Sequence, residues 1–171
     1  LKHEEIIAIQ SAYSFSIFMT AQKNQDKVNT VEEMALLVAN SDQKIITLWA
    51  ADCAEHVLHF FKAEKPDDCR PAMAIEAANA WASSRMSVSE ARKAAFAAHA
   101  AARESDTPAA VAAARSCGHA AATAHVIGHA MHAAAYAARS IEFSGGNPLK
   151  EYQWQLNILK EKYGEKLEKP A

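Results

Sequence analysis

Residues 107–141 read TPAAVAAARSCGHAAATAHVIGHAMHAAAYAARSI, and this stretch decides the fold. Alanine loses no side-chain entropy in a helix and is the best helix former. Its small side chain also lets neighbouring helix axes come close. No β-branched alternation interrupts the stretch, which excludes a strand. Thr107 followed by Pro108 is a helix start: a hydroxyl to cap free amides, then a residue whose fixed φ suits the first turn. The pattern continues to Ile141. Gly118 and Gly128 are the positions able to kink or split it, and a break is expected near Gly118.

The same composition fills the middle of the chain. It holds 39 alanines, concentrated between residues 50 and 150. Upstream, Ser87 and Glu90 form a capping box that opens a helix from Val88 to about Arg103. Pro71 opens another, to about Ser83, after a loop bracketed by Pro66 and Pro71. Asp42 caps a helix from Gln43 to Ala63, whose apolar stripe includes Ile45, Ile46, Trp49, Val57, Leu58 and Phe61. Nearer the start, a helix is expected over Glu4–Gln22, with Ile6, Ile7 or Ile9, Phe15 and Phe18 as its apolar side. A polar loop, Lys23–Asn29, follows. Thr30 with Glu33 then reads as a second capping box, for a short helix to Val38. Downstream, Ser144-Gly145-Gly146-Asn147-Pro148 is a stop and restart, and Leu149–Tyr163 is amphipathic. The expectation is an all-α single domain of about seven helices, a bundle or orthogonal array around an alanine-rich core. Within it, residues 1–42 form an N-terminal extension and residues 43–163 the core.

Bulk properties narrow the function. A chain of 171 residues buries enough surface to need no staple. The formal net charge is -2, so no strong field favours nucleic acid or an anionic membrane. The segment between Arg115 and Arg139 is long enough to span a bilayer. Its alanines give little transfer energy, and His119, His125, His129 and His132 oppose insertion. Ile6–Ala21 is preceded by Glu4 and Glu5, not by the basic flank of a signal peptide. Cys53, Cys69 and Cys117 are odd in number and form no CxxC, as expected of reduced thiols. The reading is a cytoplasmic protein that contacts neither nucleic acid nor membrane; the sequence leaves its oligomeric state open.

Three constellations could carry chemistry. His125, His129 and His132 point within about 60° of one another on an ideal helix, and two histidines four apart can chelate a metal. Val126 stands where HExxH would place its glutamate, so a further ligand must come from another helix. The competing reading is a set of helix-packing histidines. Asp52, Glu55, His56 and His59 share one helix face, as carboxylate–histidine metal sites do, yet no second Glu-x-x-His occurs. Arg92, His99 and Arg103, with Phe96 close by, form a basic stripe. It suits an anion, but internal pairing with Asp52, Glu55 or Glu76 is expected. Cys117 and His119 are two apart and diverge on a helix, so a thiol–imidazole dyad fails. No phosphate loop, dinucleotide fingerprint or nucleophile elbow is present. No cofactor is expected; a transition metal at His125 and His129 is the alternative. Trp49, Trp81 and Trp154 read as core anchors.

Several segments together carry a resemblance. They are Trp49-Ala-Ala-Asp52-Cys-Ala-Glu55; Asp67-Asp68-Cys-Arg70-Pro71 leading to Ala74-Ile75-Glu76; Ala91-Arg92 through Phe96 and His99 to Arg103; and Gly118-His119 through His125-Val126 to Gly128-His129. This combination resembles the bacterial family of Imm-5-like immunity proteins, over about Trp49 to Trp154. The resemblance implies an all-α cytoplasmic protein that neutralises a toxin by binding it, with no enzyme activity. Asp52, Glu55, Asp67, Arg70, Glu76, Arg92, His99, Arg103, His119, His125 and His129 fall on its pattern. His56 and His59 stand where Arg and Pro are more usual. The leading expectation is therefore a toxin-binding protein. Its rival is a metal- or small-ligand-binding protein, an enzyme included, using His125, His129 and a carboxylate such as Glu55 or Asp52; a cavity lined by His125, His129, Arg92 and Glu76 would favour it. An exposed patch away from those residues would favour the protein partner.

Overall fold

The computed structural model describes residues 3–167, with side chains described for residues 19–165. Seven helices follow one another among them: α1 His3–Ala39, α2 Gln43–Glu64, α3 Arg70–Ala82, α4 Val88–Arg103, α5 Pro108–Ala122, α6 His129–Phe143 and α7 Pro148–Leu167. No strand occurs among the described residues, and the fold is all-α.

The expected caps form. The Asp42 carboxylate accepts from the amides of Lys44, at 2.8 Å, and Ile45, at 3.3 Å. Ser87 and Glu90 close their reciprocal box. Thr107 accepts from the Ala110 amide, and Glu64 reaches across from the end of α2 to take the amides of Asp106 and Thr107 at 2.8 and 3.0 Å. A carboxylate there also complements the positive end of α5.

Two boundaries differ from expectation, in opposite directions. The loop expected at Lys23–Asn29 is helix, and α1 is continuous. That stretch holds no Gly or Pro to break it, and i,i+4 pairs stitch it: Gln22 donates to Asp26 and Gln25 to Asn29, each at 2.9 Å. Thr30 donates back to the Asp26 carbonyl at 2.8 Å instead of capping a new helix. The expected apolar side at Ile6, Ile7, Ile9, Phe15 and Phe18 lies outside the described side chains. In the second case the alanine-rich stretch does split, but at residues 123–128 and not near Gly118. Gln43 of α2 donates to the freed Thr123 carbonyl at 2.7 Å, satisfying a backbone group at the end of α5.

α5 is the centre of the structure. It packs against α2, α3, α4 and α6, with Ala110, Ala113, Ala114, Cys117, Ala120 and Ala121 fully buried. α6 runs antiparallel beside it, in a register marked by two hydroxyls. Ser116 donates to the Ala133 carbonyl and Ser140 to the Ala109 carbonyl, each at 2.8 Å. α1 packs chiefly on α7 at the other side of the molecule. There the Trp49 indole donates to the Gln155 carbonyl at 2.9 Å, and the buried Gln155 amide bonds to Ala134 and Glu151.

Gly118 shows why α5 is built from small residues. A Cβ at this position would lie 2.6 Å from Cε1 of His99 on α4. No real Cβ tolerates that distance, so glycine lets the imidazole lie against the helix backbone. In an open helix, Gly→Ala gains about 1 kcal/mol. Here Gly118→Ala should instead destabilise by about 1–3 kcal/mol through overpacking. Denaturant unfolding measures it, and His99→Ala on the Gly118→Ala background should recover part of the loss. A stabilised Gly118→Ala would mean that the two helices are not in this contact.

Candidate functional site

The contact at Gly118 is one edge of a histidine cluster. α4 supplies His99, α5 His119, α6 His129 and His132, and the connection between α5 and α6 supplies His125. His99 meets His119 edge-on, with ring centroids 4.9 Å apart. His119 lies 5.3 Å from His129, 5.2 Å from His132 and stacked 5.3 Å from Tyr136. His125 lies 5.0 Å from His129. The Nδ1 atoms of His119 and His129 are 3.2 Å apart, so one ring must donate and the other accept. Ridge spacing on α5 and α6 brings these rings to one end of the helix pair, while the break at residues 123–128 takes His125 off the helix.

Beside the cluster is a cavity of about 170 Å³, lined by Arg92, Phe96, His99, His125 and His129 over a floor of Ala95 and Ala122. Burial pushes His99 down to about 4, helped by Arg115 and Arg103 and then by His129. Burial likewise pushes His119 down to about 3, with its neighbouring histidines and Arg115 adding to the effect. His129 is lowered by burial and then by His125 and His132. These three rings are therefore neutral at neutral pH. The Nδ1 atom of His99 is buried without a hydrogen-bond partner.

The remaining sequence candidates are dispersed. Asp52 accepts from Lys162 Nζ at 2.8 and 2.9 Å and from the Tyr163 hydroxyl at 2.5 Å, tying α2 to α7. Burial, and then that bond to Asp52, hold the Tyr163 hydroxyl well above its ordinary range. Glu55 and Asp52 line a shallow cleft with His56, Trp154 and Lys162. His56 stacks on Trp154 at 3.9 Å and pairs with the buried Glu151 at 3.0 Å, so Trp154 is a surface platform and Trp49 the core anchor. His59 turns back to the His56 carbonyl. The face Asp52, Glu55, His56 and His59 thus converges on no common centre.

Arg70 takes Asp68, not Asp67, with Nη2 to Oδ2 at 2.6 Å, and reaches Glu104 at the end of α4 at 2.5 Å. Asp67 remains exposed in the α2–α3 loop. Glu76 lines a separate groove of about 710 Å³ between α3 and α4, together with Met73 and Lys93. Among the described residues Arg92 and Arg103 make no ion pair, so the expected pairing with Asp52, Glu55 or Glu76 is not what forms. Among the described residues no three His, Cys, Asp or Glu are gathered as a metal ion requires. Cys53 and Cys117 are buried, and burial raises both thiols well above their ordinary range, which removes them as nucleophiles.

Sequence reasoning missed Arg115 and Tyr136. Arg115 is four residues before His119 on α5, a helical neighbour that the spacing would have given. Tyr136 is four residues after His132 on α6.

The model of the family described as Imm-5 like putative immunity protein matches residues 36–162, more than half of the chain. The chain belongs to this family. No curated protein and no solved structure matches it. Among the described residues no helix is long and apolar enough to cross a membrane. In this Imm-5-like protein the cluster ties stability to pH. An unfolded histidine takes up a proton near its ordinary 6.5, whereas folded His99 does so only near about 4. Acidification therefore favours the unfolded chain, and stability should fall from about pH 6.5 downward, before the carboxylates titrate. Urea unfolding across that range measures the slope, and His99→Gln with His119→Gln should flatten it.

Proposed function

We propose that this Imm-5-like protein is a cytoplasmic immunity protein that neutralises a protein toxin by one-to-one binding, without catalysis. Family membership supports the class of function. One observation carries the choice of surface: Phe96, on the outer face of α4, is 65% exposed in the wall of the histidine-lined cavity. Arg92 stands one turn before it, and Val126, next in sequence to His125, is 50% exposed. Aromatic and arginine side chains dominate the binding energy of protein interfaces. The groove between α3 and α4 flanks α4 on its other side, so this helix is a ridge between two concavities. The net charge of -2 makes shape and apolar contact, rather than a long-range acidic field, the basis of recognition.

The rival small-ligand reading draws on the same cavity, in which Arg92, His125 and His129 come together but Glu76 does not. By the criterion set from the sequence the cavity counts toward that rival, since Phe96 lies in its wall and not away from these residues; family membership and the exposed aromatic together are what favour a protein partner.

Co-expression with a toxic protein encoded beside its gene should restore growth, and the two purified proteins should form a one-to-one complex. Phe96→Ala should weaken that complex by about 2 kcal/mol, roughly thirtyfold. Leu36→Ala, at a residue 66% exposed on α1, should leave it unchanged. Protection by a small amount of protein against excess toxin would point to catalysis and contradict this reading.

A further inference from the structure

We propose that the cavity between α4, α6 and the α5–α6 connection binds a small oxyanion, a carboxylate or phosphate group, with Arg92 and His99 as its principal contacts. This site does not depend on a toxin partner.

Four observations lead there. First, Arg92 lines the cavity and has no carboxylate partner among the described residues. A guanidinium presents donors that match two oxygens of one anion. Second, His99 lines the cavity and its Nδ1 atom is buried and unsatisfied, although groups so placed nearly always have a partner. In the tautomer protonated at Nδ1 the ring carries an unused donor, which a turn of the imidazole toward the cavity would offer to an acceptor there. Third, the surroundings are cationic. Besides Arg92, Arg103 lies on α4 and Arg115 on α5, both close enough to act on His99. The groups that act on His119 and His129 are the other histidines of α4–α6 and Arg115, and no carboxylate is among them. Fourth, the cavity of about 170 Å³ is well below the roughly 300–1,000 Å³ of a drug-sized pocket. It takes one small anion or the end of one acidic side chain, not a nucleotide.

Charge also decides against a cation. The Nδ1 atoms of His119 and His129, 3.2 Å apart, would otherwise suit two ligands of a tetrahedral metal. Burial costs a charge of either sign, so the choice rests on the arginines, which oppose a divalent cation as they oppose protons on these rings. An anion meets the opposite field: its binding favours the protonated rings, so it raises the histidine titrations while it is bound.

The test uses isotope-labelled full-length protein at neutral pH and fixed ionic strength, with sodium phosphate exchanged for sodium chloride. Histidine ring resonances report the site. Phosphate should shift His99, His125 and His129 saturably and move the titration of His99 upward from about 4. Arg92→Ala, at an exposed residue that leaves the fold intact, should weaken phosphate by about tenfold or more. Sodium acetate in place of phosphate separates the sources. Saturation by both means the site reads a carboxylate, as an acidic side chain of a partner would supply. Saturation by phosphate alone means a free phosphate-type anion. Shifts that rise linearly with either salt, or that are the same in Arg92→Ala, would overturn the proposal. So would stoichiometric zinc uptake that phosphate does not oppose.

Discussion

The imidazole of His99 rests against the backbone of α5 at Gly118, at a distance that leaves no room for a methyl group. Much of the rest depends on that approach. α5 meets four other helices, and each meeting is close because alanine, serine, cysteine or glycine stands at the contact. Larger residues would push the axes apart. The hydroxyls of Ser116 and Ser140 then bond directly to carbonyls of the facing helix, which they reach because the helices are near. The hydrophobic contribution per alanine is small, but close-packed backbone and methyl contacts are many. Bulkier residues of α2 such as Trp49 and Phe61 are fully buried in the same core.

That packing explains the state of the histidines. Helices brought close place His99, His119 and His129 within ring contact and withdraw them partly from water. With arginines as the nearest charges, the rings remain neutral and pair with one another. A face results whose imidazoles at His99, His119 and His129 are uncharged and whose nearby fixed charges, Arg92, Arg103 and Arg115, are positive, with an exposed phenyl ring at its rim. It is suited to holding another molecule and poorly suited to nucleophilic chemistry, since the thiols of Cys53 and Cys117 lie in the core.

Much of the fold was legible. Asp42, Ser87 and Thr107 are capping residues whose role is local, and each caps where its chemistry says it should. Two boundaries were not. Lys23–Asn29 looks like a loop by polarity, but polarity alone does not end a helix, and i,i+4 side-chain pairs continue it. Gly118 looks like a breaker by propensity, but it is there to admit His99; only the distant residue explains the glycine. The break falls at residues 123–128, where Gln43 of α2, eighty positions before Thr123, takes up the freed carbonyl. For the site, His125, His129 and His132 were legible as a spacing and His99 as part of a basic stripe; that His99 and His119 join the other rings depends on how α4, α5 and α6 pack, which no spacing within one helix encodes. The choice of Asp68 over Asp67 by Arg70, and of Glu151 by His56, depended on loop geometry and on α7, which no local pattern encodes.

The central claim is that close helix packing at Gly118 assembles a half-buried histidine cluster in which His99, His119 and His129 are uncharged, on the face proposed to bind a partner. Nitrogen-15 spectra of the histidine rings in the folded protein at neutral pH test it most directly. The account predicts that His99, His119 and His129 are each neutral and held in a single tautomer, with His119 and His129 in opposite tautomers at Nδ1. Protonated rings, or rings exchanging rapidly between tautomers as free imidazoles do in water, would contradict it.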